Sequence, residues 1–432
     1  MCTFKITNFP DALDVDQYLK LGGPDASKTL EVNGLYLTHH LLSITGEFTP
    51  QPILNDSKYF LLMGEIYDYD RKYPSDIYHV IEMYNQYGDQ FTNYLDGEFL
   101  IAVYDTKQNV INFYTDPWST RQAWFDKWDD YFYFGTFPRV EVPGRFLATD
   151  FYGKGELIRL RPNSHYMFDL TLKQLTLVNS ELHKWSLLQY KTNFKDFHKA
   201  FEEAVLKRYN SEAMLCFSGG IDSACIAVCL SDHIKPLPMI NLDFTGAEDF
   251  NTIEAVKRYC NFSFRSINKP IDIDHEDRFV QLGLANSPLV QLSQHIKNRI
   301  IIQGNGVDEV LNNYLNKRET GEIRNWWPNY LESVFPWRHF YNGQIRKIID
   351  KKELICLHYG QELRNVFLDK KLVQEWLNIT HILKNSTSKA PLKVYLHERG
   401  IPLPKKVAGS RSQQVGFKSL TDDNLEWQKL NS

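Results

Sequence analysis

The sequence predicts two unlike halves: a mostly antiparallel α+β region, then an α/β region on a parallel sheet with a helical C-terminal stretch. Three observations carry this expectation. Short apolar and aromatic runs separated by polar turns fill residues 1 to about 185. After Asn193 such runs alternate with longer amphipathic segments, the pattern of parallel strands joined by covering helices. A length of 432 residues also exceeds one ordinary hydrophobic core.

In the first half, the runs at 35–37, 59–63, 99–104, 110–114 and 131–134 read as strands. Residues 76–84 carry apolar positions near helical spacing and read as a helix. The runs at 157–160 and 165–168 flank Arg161-Pro162-Asn163-Ser164 and predict a terminal hairpin. In the second half, 194–208, 222–230 and 252–259 read as helices, while 214–217, 238–242 and 300–303 read as buried strands. From Trp326 to about residue 400 the composition turns helical and aromatic.

Bulk properties narrow the function. Hydrophobic residues make up 43% and charged residues 24%, an ordinary globular balance. A net charge of -4 gives no electrostatic footprint for nucleic acid. The six cysteines form no C-x-x-C pair, and Cys225 and Cys229 fall one helical turn apart, as buried free thiols in a reducing compartment would. Neither a secretory leader nor an 18-residue apolar run is present, so no membrane partner is expected and the cytoplasm is the expected location.

The stretch Ser218-Gly219-Gly220-Ile221-Asp222-Ser223 follows the strand at 214–217 and opens a helix. It lacks the Gly-Lys-[ST] ending of a Walker A loop, but glycines followed by a helix N-terminus still converge backbone amides on an anion. Asp222 then suits a magnesium ion rather than a phosphate, which it would repel. The plainer alternative is a glycine-serine turn with a helix cap. A second loop, Gly304-Asn305-Gly306-Val307-Asp308-Glu309, follows the strand at 300–303. Two such loops of one parallel sheet open at its carboxyl edge, where ligands bind, so Asp308 can reach the same magnesium-bound triphosphate. At the chain start, trimming of Met1 would make Cys2 an N-terminal thiol whose own amine serves as general base. A cysteine there by accident is the alternative.

These residues carry a resemblance. The loop at 218–223 resembles that of the N-type ATP pyrophosphatases. Together with the loop at 304–309 and the segment His358-Tyr359-Gly360-Gln361-Glu362-Leu363-Arg364-Asn365-Val366-Phe367-Leu368-Asp369, it is similar to the glutamine-dependent asparagine synthetases. The first half, through Gly64-Glu65-Ile66-Tyr67, Asp76 and Leu95-Asp96-Gly97-Glu98-Phe99, resembles that family's glutaminase. The resemblance implies an N-terminal-nucleophile sandwich over 1–190 and an ATP pyrophosphatase-type domain over 191–432. It implies an ATP-dependent, AMP-forming amide ligase that activates a small-molecule carboxylate, aspartate by default, for attack by ammonia or glutamine-derived ammonia. Ser218, Gly219, Gly220, Asp222, Ser223, Gly304, Gly306 and Asp308 would hold ATP, with the strand ends at Leu215 and Leu242 on the adenosine. Asp222 and Asp308 would bind Mg2+. Cys2 would be the glutaminase nucleophile, and Gly64, Glu65 and Asp76 would bind its substrate, as Asn305 would in the second half. A homodimer is compatible with it.

The chain departs from the family at four places. Leu41 aligns with an arginine that binds the glutamine carboxylate, and Met63 with an asparagine that donates to the oxyanion. Asn305 replaces an acid, and Gln413 stands where a phosphate-contacting lysine is expected, with Lys405, Lys406 and Lys418 nearby. His39 or His40 could stand in for the missing arginine, but adjacent strand residues face opposite ways, so at most one could. An impaired or altered glutaminase is therefore expected. A ligase joining another acid or amine, as in a peptide or secondary metabolite, and a non-catalytic nucleotide-binding relative remain the alternatives.

Overall fold

The architecture is a computed structural model, which describes residues 2–10, 15–138, 158–233, 239–242, 250–260, 264–267, 287–296, 299–311 and 327–403. The first half holds two six-stranded sheets. One runs in the order Ile158–Arg159, Trp124–Trp128, Tyr131–Gly135, Thr3–Thr7, Leu35–Leu41, Ala26–Val32. The other runs Gln174–Asn179, His165–Asp169, Val110–Thr115, Gly97–Asp105, Lys58–Ile66, Ile53–Asn55. Every pairing assigned within the two sheets is antiparallel.

The strand period of two sets the layers. Phe4, Ile6, Leu37, Leu61, Met63, Phe113 and Phe134 fill the space between the sheets. The alternate residues Phe60, Leu62 and Ile66 face outward and pack on Ile77, Val80 and Ile81 of the helix Asp76–Tyr87.

The third sheet has five strands in the order Phe264–Ile267, Met239–Leu242, Ala213–Cys216, Ile300–Gln303, Glu362–Asn365, all parallel. Its inner strands Ala213–Cys216 and Ile300–Gln303 are largely apolar because both faces of the sheet are covered. Leu215, Ile300 and Ile302 meet the helices Lys195–Arg208 and Ile221–His233. Ile301 and Leu363 join the core that contains Pro288–Ser293 and Gln344–His358, which is continuous with the interior of the sandwich. Helices Lys370–Asn378, His381–Ser386 and Ala390–His397 complete the helical C-terminal part. Among the described residues no helix is long and apolar enough to cross a membrane.

Two expectations are corrected. The runs around 158–160 and 165–168 do not form a hairpin. Ile158–Arg159 pairs with Trp124 and Phe125 in the first sheet, while His165–Asp169 pairs with Val110–Thr115 in the second. Residues 161–164 cross the sandwich, turning at Asn163 with φ 55°, because the two runs pair in different sheets. The second correction is an addition: Glu362–Asn365, recognised only as part of a motif, is the edge strand of the parallel sheet. Residue 157, Pro238 and Trp326 lie outside the described residues.

Candidate functional site

Two adjacent parallel strands, Ala213–Cys216 and Ile300–Gln303, deliver the two glycine loops side by side. The first loop is closed by its own serines. Ser223 Oγ lies 3.1 Å from Ser218 Oγ and accepts from the Ser218 amide at 3.2 Å, while Ser218 Oγ accepts from the Gly220 amide at 3.3 Å. The second loop packs directly on it: a Cβ at Gly304 would lie 2.8 Å from the Asp222 Cβ, so only glycine permits the approach. Asp308 follows on a π-helical turn, Val307–Leu311.

The two carboxylates expected to hold magnesium meet on one cation, and it is a lysine. Lys389 Nζ lies 3.0 and 2.8 Å from the Asp222 oxygens and 2.9 Å from Asp308 Oδ1. Burial pushes the Asp222 carboxyl up to about 6, with Lys389 drawing it down and Asp308 adding repulsion. Burial would lower the Lys389 ammonium, but the two carboxylates outweigh it and hold it above its ordinary range. Paired hard oxygen donors around a cation position suit a magnesium ion. No cluster of three or more His, Cys, Asp or Glu side chains surrounds it among the described residues, so further ligands would come from phosphate oxygens and water.

Asn305 is buried at the same sheet edge. Its amide nitrogen donates to Asn365 Oδ1 at 3.0 Å, and its carbonyl oxygen accepts from Lys352. Burial lowers the Lys352 ammonium, against the opposing pull of Cys216 and Glu309. Leu215, near the strand end expected to meet the adenosine through backbone contacts, is buried and pairs with Met239 and Ile302. Leu242 ends the neighbouring strand. Gln413 and the lysines at 405, 406 and 418 lie outside the described residues.

The front-half residues also converge. Cys2, Leu41, Gly64, Glu65 and Asp76 line one cavity of about 30 Å³, and Glu362 of the third sheet forms part of its wall. That volume holds about two waters, at the ~10–15 Å³ each requires, so a larger guest needs wall side chains to move. Gly64 has φ 125°, and a Cβ there would fall 1.9 Å from the Glu98 carbonyl oxygen, so the strand approach demands glycine. Cys2 Sγ accepts from the Leu42 amide at 3.4 Å, and burial pushes its thiol up to about 11. Burial also raises Glu65 to about 8, despite Arg364 at 3.4 Å and Thr45 Oγ1 donating at 2.6 Å. Asp76 is raised to about 6 by burial, opposed by the Ile66 amide at 3.1 Å.

None of the described residues lining this cavity is basic. Leu41 occupies the wall, and the Met63 side chain turns into the sandwich core. Neither His39 nor His40 lines the cavity. His39 is buried with its pKa lowered to about 3 by burial, and His40 Nδ1 sits 2.8 Å from Ser27 Oγ.

The two sites are joined by buried polar groups absent from the sequence reading as site residues. Glu98, cross-strand neighbour of Glu65, accepts from the Asn365 amide and side chain at 2.9 Å each, from Tyr67 Oη at 2.9 Å and from Arg208 Nε at 3.1 Å. Arg364 binds Glu362 at 2.7 Å, and Arg121 takes both oxygens of Glu353 at 3.0 Å. Asp369 accepts from Arg208 at 2.9 Å and caps the helix Lys370–Asn378. The polar chain thus runs from Asn305 through Asn365 and Glu98 toward the Cys2 cavity.

Comparison with known proteins agrees with this geometry. Residues 3–139 match the glutamine amidotransferase domain family, and residues 196–350 match the asparagine synthase family. The chain belongs to the glutamine-dependent asparagine synthetase family. A probable glutamine-hydrolyzing asparagine synthetase of Dictyostelium discoideum is 24% identical, over 85% of this chain and 72% of that protein. A putative asparagine synthetase of Methanocaldococcus jannaschii is 24% identical over 81% of this chain and 70% of its own length. Asparagine synthetase 1 of Arabidopsis thaliana is 23% identical, with 85% and 67% covered. Within the family, Lys389, Lys352 and the Glu98 network are the site features this sequence did not announce. A proline two residues after Lys389, marking a helix start, was the available signal for the first.

Proposed function

We infer that this protein is an ATP-dependent, AMP-forming amide ligase of the asparagine synthetase type, supplied with nitrogen by glutamine or ammonia. The observation that carries the inference is the convergence of Asp222 and Asp308 on one cation position, between two glycine loops at the carboxyl edge of a parallel sheet. On this reading residues 1–190 hold the glutaminase and 191–432 the synthetase. Free thiols at all six cysteines suit a reducing compartment, and we place the enzyme in the cytoplasm.

The loop Ser218–Ser223 and the helix N-terminus behind it receive the polyphosphate, with Gly304 and Gly306 closing the other side. Asp222 and Asp308 would hold Mg2+, which when bound neutralises charge on the leaving pyrophosphate. A carboxylate oxygen of the acid, aspartate by default, attacks the α-phosphorus. The bond to pyrophosphate breaks and an acyl-adenylate forms. Ammonia then attacks the acyl carbon, and AMP leaves with the former carboxylate oxygen. Asn305 orients a substrate by its amide but cannot accept a proton. Lys352, buried against Asn305, supplies positive charge at the same edge. In the front cavity, once Met1 is removed, the Cys2 amine takes the thiol proton and the sulfur attacks the glutamine side-chain carbonyl. The carbon–nitrogen bond breaks, ammonia leaves with that proton, and water hydrolyses the thioester to glutamate, with Glu65 and Asp76 facing the substrate amine. Leu41 offers no counter-charge for the substrate carboxylate.

A pyrophosphate-release assay across a panel of carboxylates, each with ammonium or glutamine, tests the reading. Aspartate- and ammonium-dependent release of equimolar pyrophosphate, AMP and asparagine is expected. A folded, ATP-binding protein that releases no pyrophosphate with any acid would overturn it.

A further inference from the structure

The cation between Asp222 and Asp308 belongs to the chain itself, and its position is built rather than incidental. Lys389 precedes the helix Ala390–His397 and adopts φ 56° and ψ 36°, a left-handed conformation uncommon for lysine. Pro391 fixes the first turn of that helix, and the Leu392 carbonyl accepts from Cys225 of the helix that begins at Asp222's own loop. The backbone thereby aims the lysine side chain, 10% exposed, at the gap between the two loops. Three contacts of 2.8–3.0 Å fill that gap.

We propose that Lys389 is a resident counter-ion, occupying the divalent-cation position until nucleotide arrives, so that the site takes metal only together with nucleotide. This rests on the ligase reading above for the identity of the nucleotide and the metal. A free divalent ion entering alone would have to evict a buried ammonium and leave it without a partner, which is strongly unfavourable. A metal arriving on a polyphosphate brings new anionic oxygens for the displaced ammonium. Metal and nucleotide binding are then coupled, and the coupling is reciprocal. The same displacement turns Lys389 toward the phosphates, supplying a lysine on the pyrophosphate side of the site. The carboxylate pair is never left without a cation, which eases the repulsion between two facing acids in the folded apo-protein.

Mn2+ binding followed by electron paramagnetic resonance tests this without turnover. Wild-type protein is expected to bind no Mn2+ in the absence of nucleotide and one equivalent with a non-hydrolysable ATP analogue. Lys389→Met should bind Mn2+ without nucleotide, tighter than wild type by about tenfold or more. Adding Asp308→Asn to that variant should remove the new site. Lys389→Asn, which tolerates the left-handed backbone, provides a second variant should the first fold poorly. Mg2+ alone should raise the melting midpoint of either lysine variant and leave the wild type unmoved. Nucleotide-free wild type binding Mn2+ as well as the variants do, or folded variants binding none, would overturn the proposal. Loss of pyrophosphate release with Mn2+ coupling intact would instead count against the ligase reading alone.

Discussion

The two sites of this molecule surround their carboxylates differently. At the nucleotide edge, Asp222 and Asp308 share the Lys389 ammonium, and every contact is 3.0 Å or shorter. In the front cavity, Glu65 and Asp76 face a buried thiol with no basic side chain on the described wall, and burial raises all three groups. The first site holds its own cation against the two carboxylates before any ligand arrives. The second has no such cation on its described wall. A site in the first state is ready for an anion that carries its own metal. A site in the second favours the amine end of an amino acid over its carboxylate. The front cavity, with Leu41 on its wall, thus marks one of the chain's departures from its family, and Asn305 at the sheet edge marks another.

The largest expected effect separates the sites outright. Cys2→Ala should abolish glutamine-supported amide formation while leaving ammonium-supported formation within about twofold; equal loss with both donors would erase the distinction. Because burial places the thiol near 11, alkylation of Cys2 should keep accelerating through pH 10 rather than level off near 9. Next in size, Asp222→Asn should slow pyrophosphate release by about 100- to 1000-fold with either nitrogen donor. A loss confined to glutamine would contradict the division of labour. More modestly, Leu41→Arg should lower the glutamine KM by about tenfold without changing the ammonium KM, by giving the wall a carboxylate partner.

The smallest effects appear in stability against pH, and they carry opposite signs. Glu65 is raised in the fold, so its contribution is complete below its ordinary pKa of 4.5 and is lost as pH rises toward 8. Asp369 is lowered to about 2: burial opposes the shift, while Arg208 and Lys207 drive it. Its contribution is present above 3.8 and is lost as pH falls through 2. Denaturant midpoints should therefore decline less between pH 5 and 8 in Glu65→Gln than in wild type. In Asp369→Asn the acid-side decline should shrink instead. The same slope in variant and wild type would remove the contrast.

Much of the nucleotide site could be read in the chain because its parts are local. A strand, a glycine loop and a helix start lie within a dozen residues at 213–223, and again at 300–311. The apolar runs also located most strands, since a buried strand writes itself as four or five apolar residues. What escaped was whatever depends on distance in sequence. Lys389 meets Asp222 across 167 positions, and Asn365 meets Glu98 across 267. No periodicity encodes such a meeting. The false hairpin at 158–168 has the same origin: a proline-asparagine turn between two apolar runs is locally convincing, and only the competing strands at 110–115 and 124–128 overrule it.

The charged seam between the halves has a consequence for behaviour in salt. Arg121 and Glu353, and Arg208 and Glu98, pair across it with side chains about 1% exposed or less. Mobile ions shield charges that they can approach, and here water-borne ions have no access. High ionic strength should leave the halves locked together while it loosens surface pairs such as Lys107 with Asp56. How the two halves are held against each other is in this respect set by the chain and not by the medium around it.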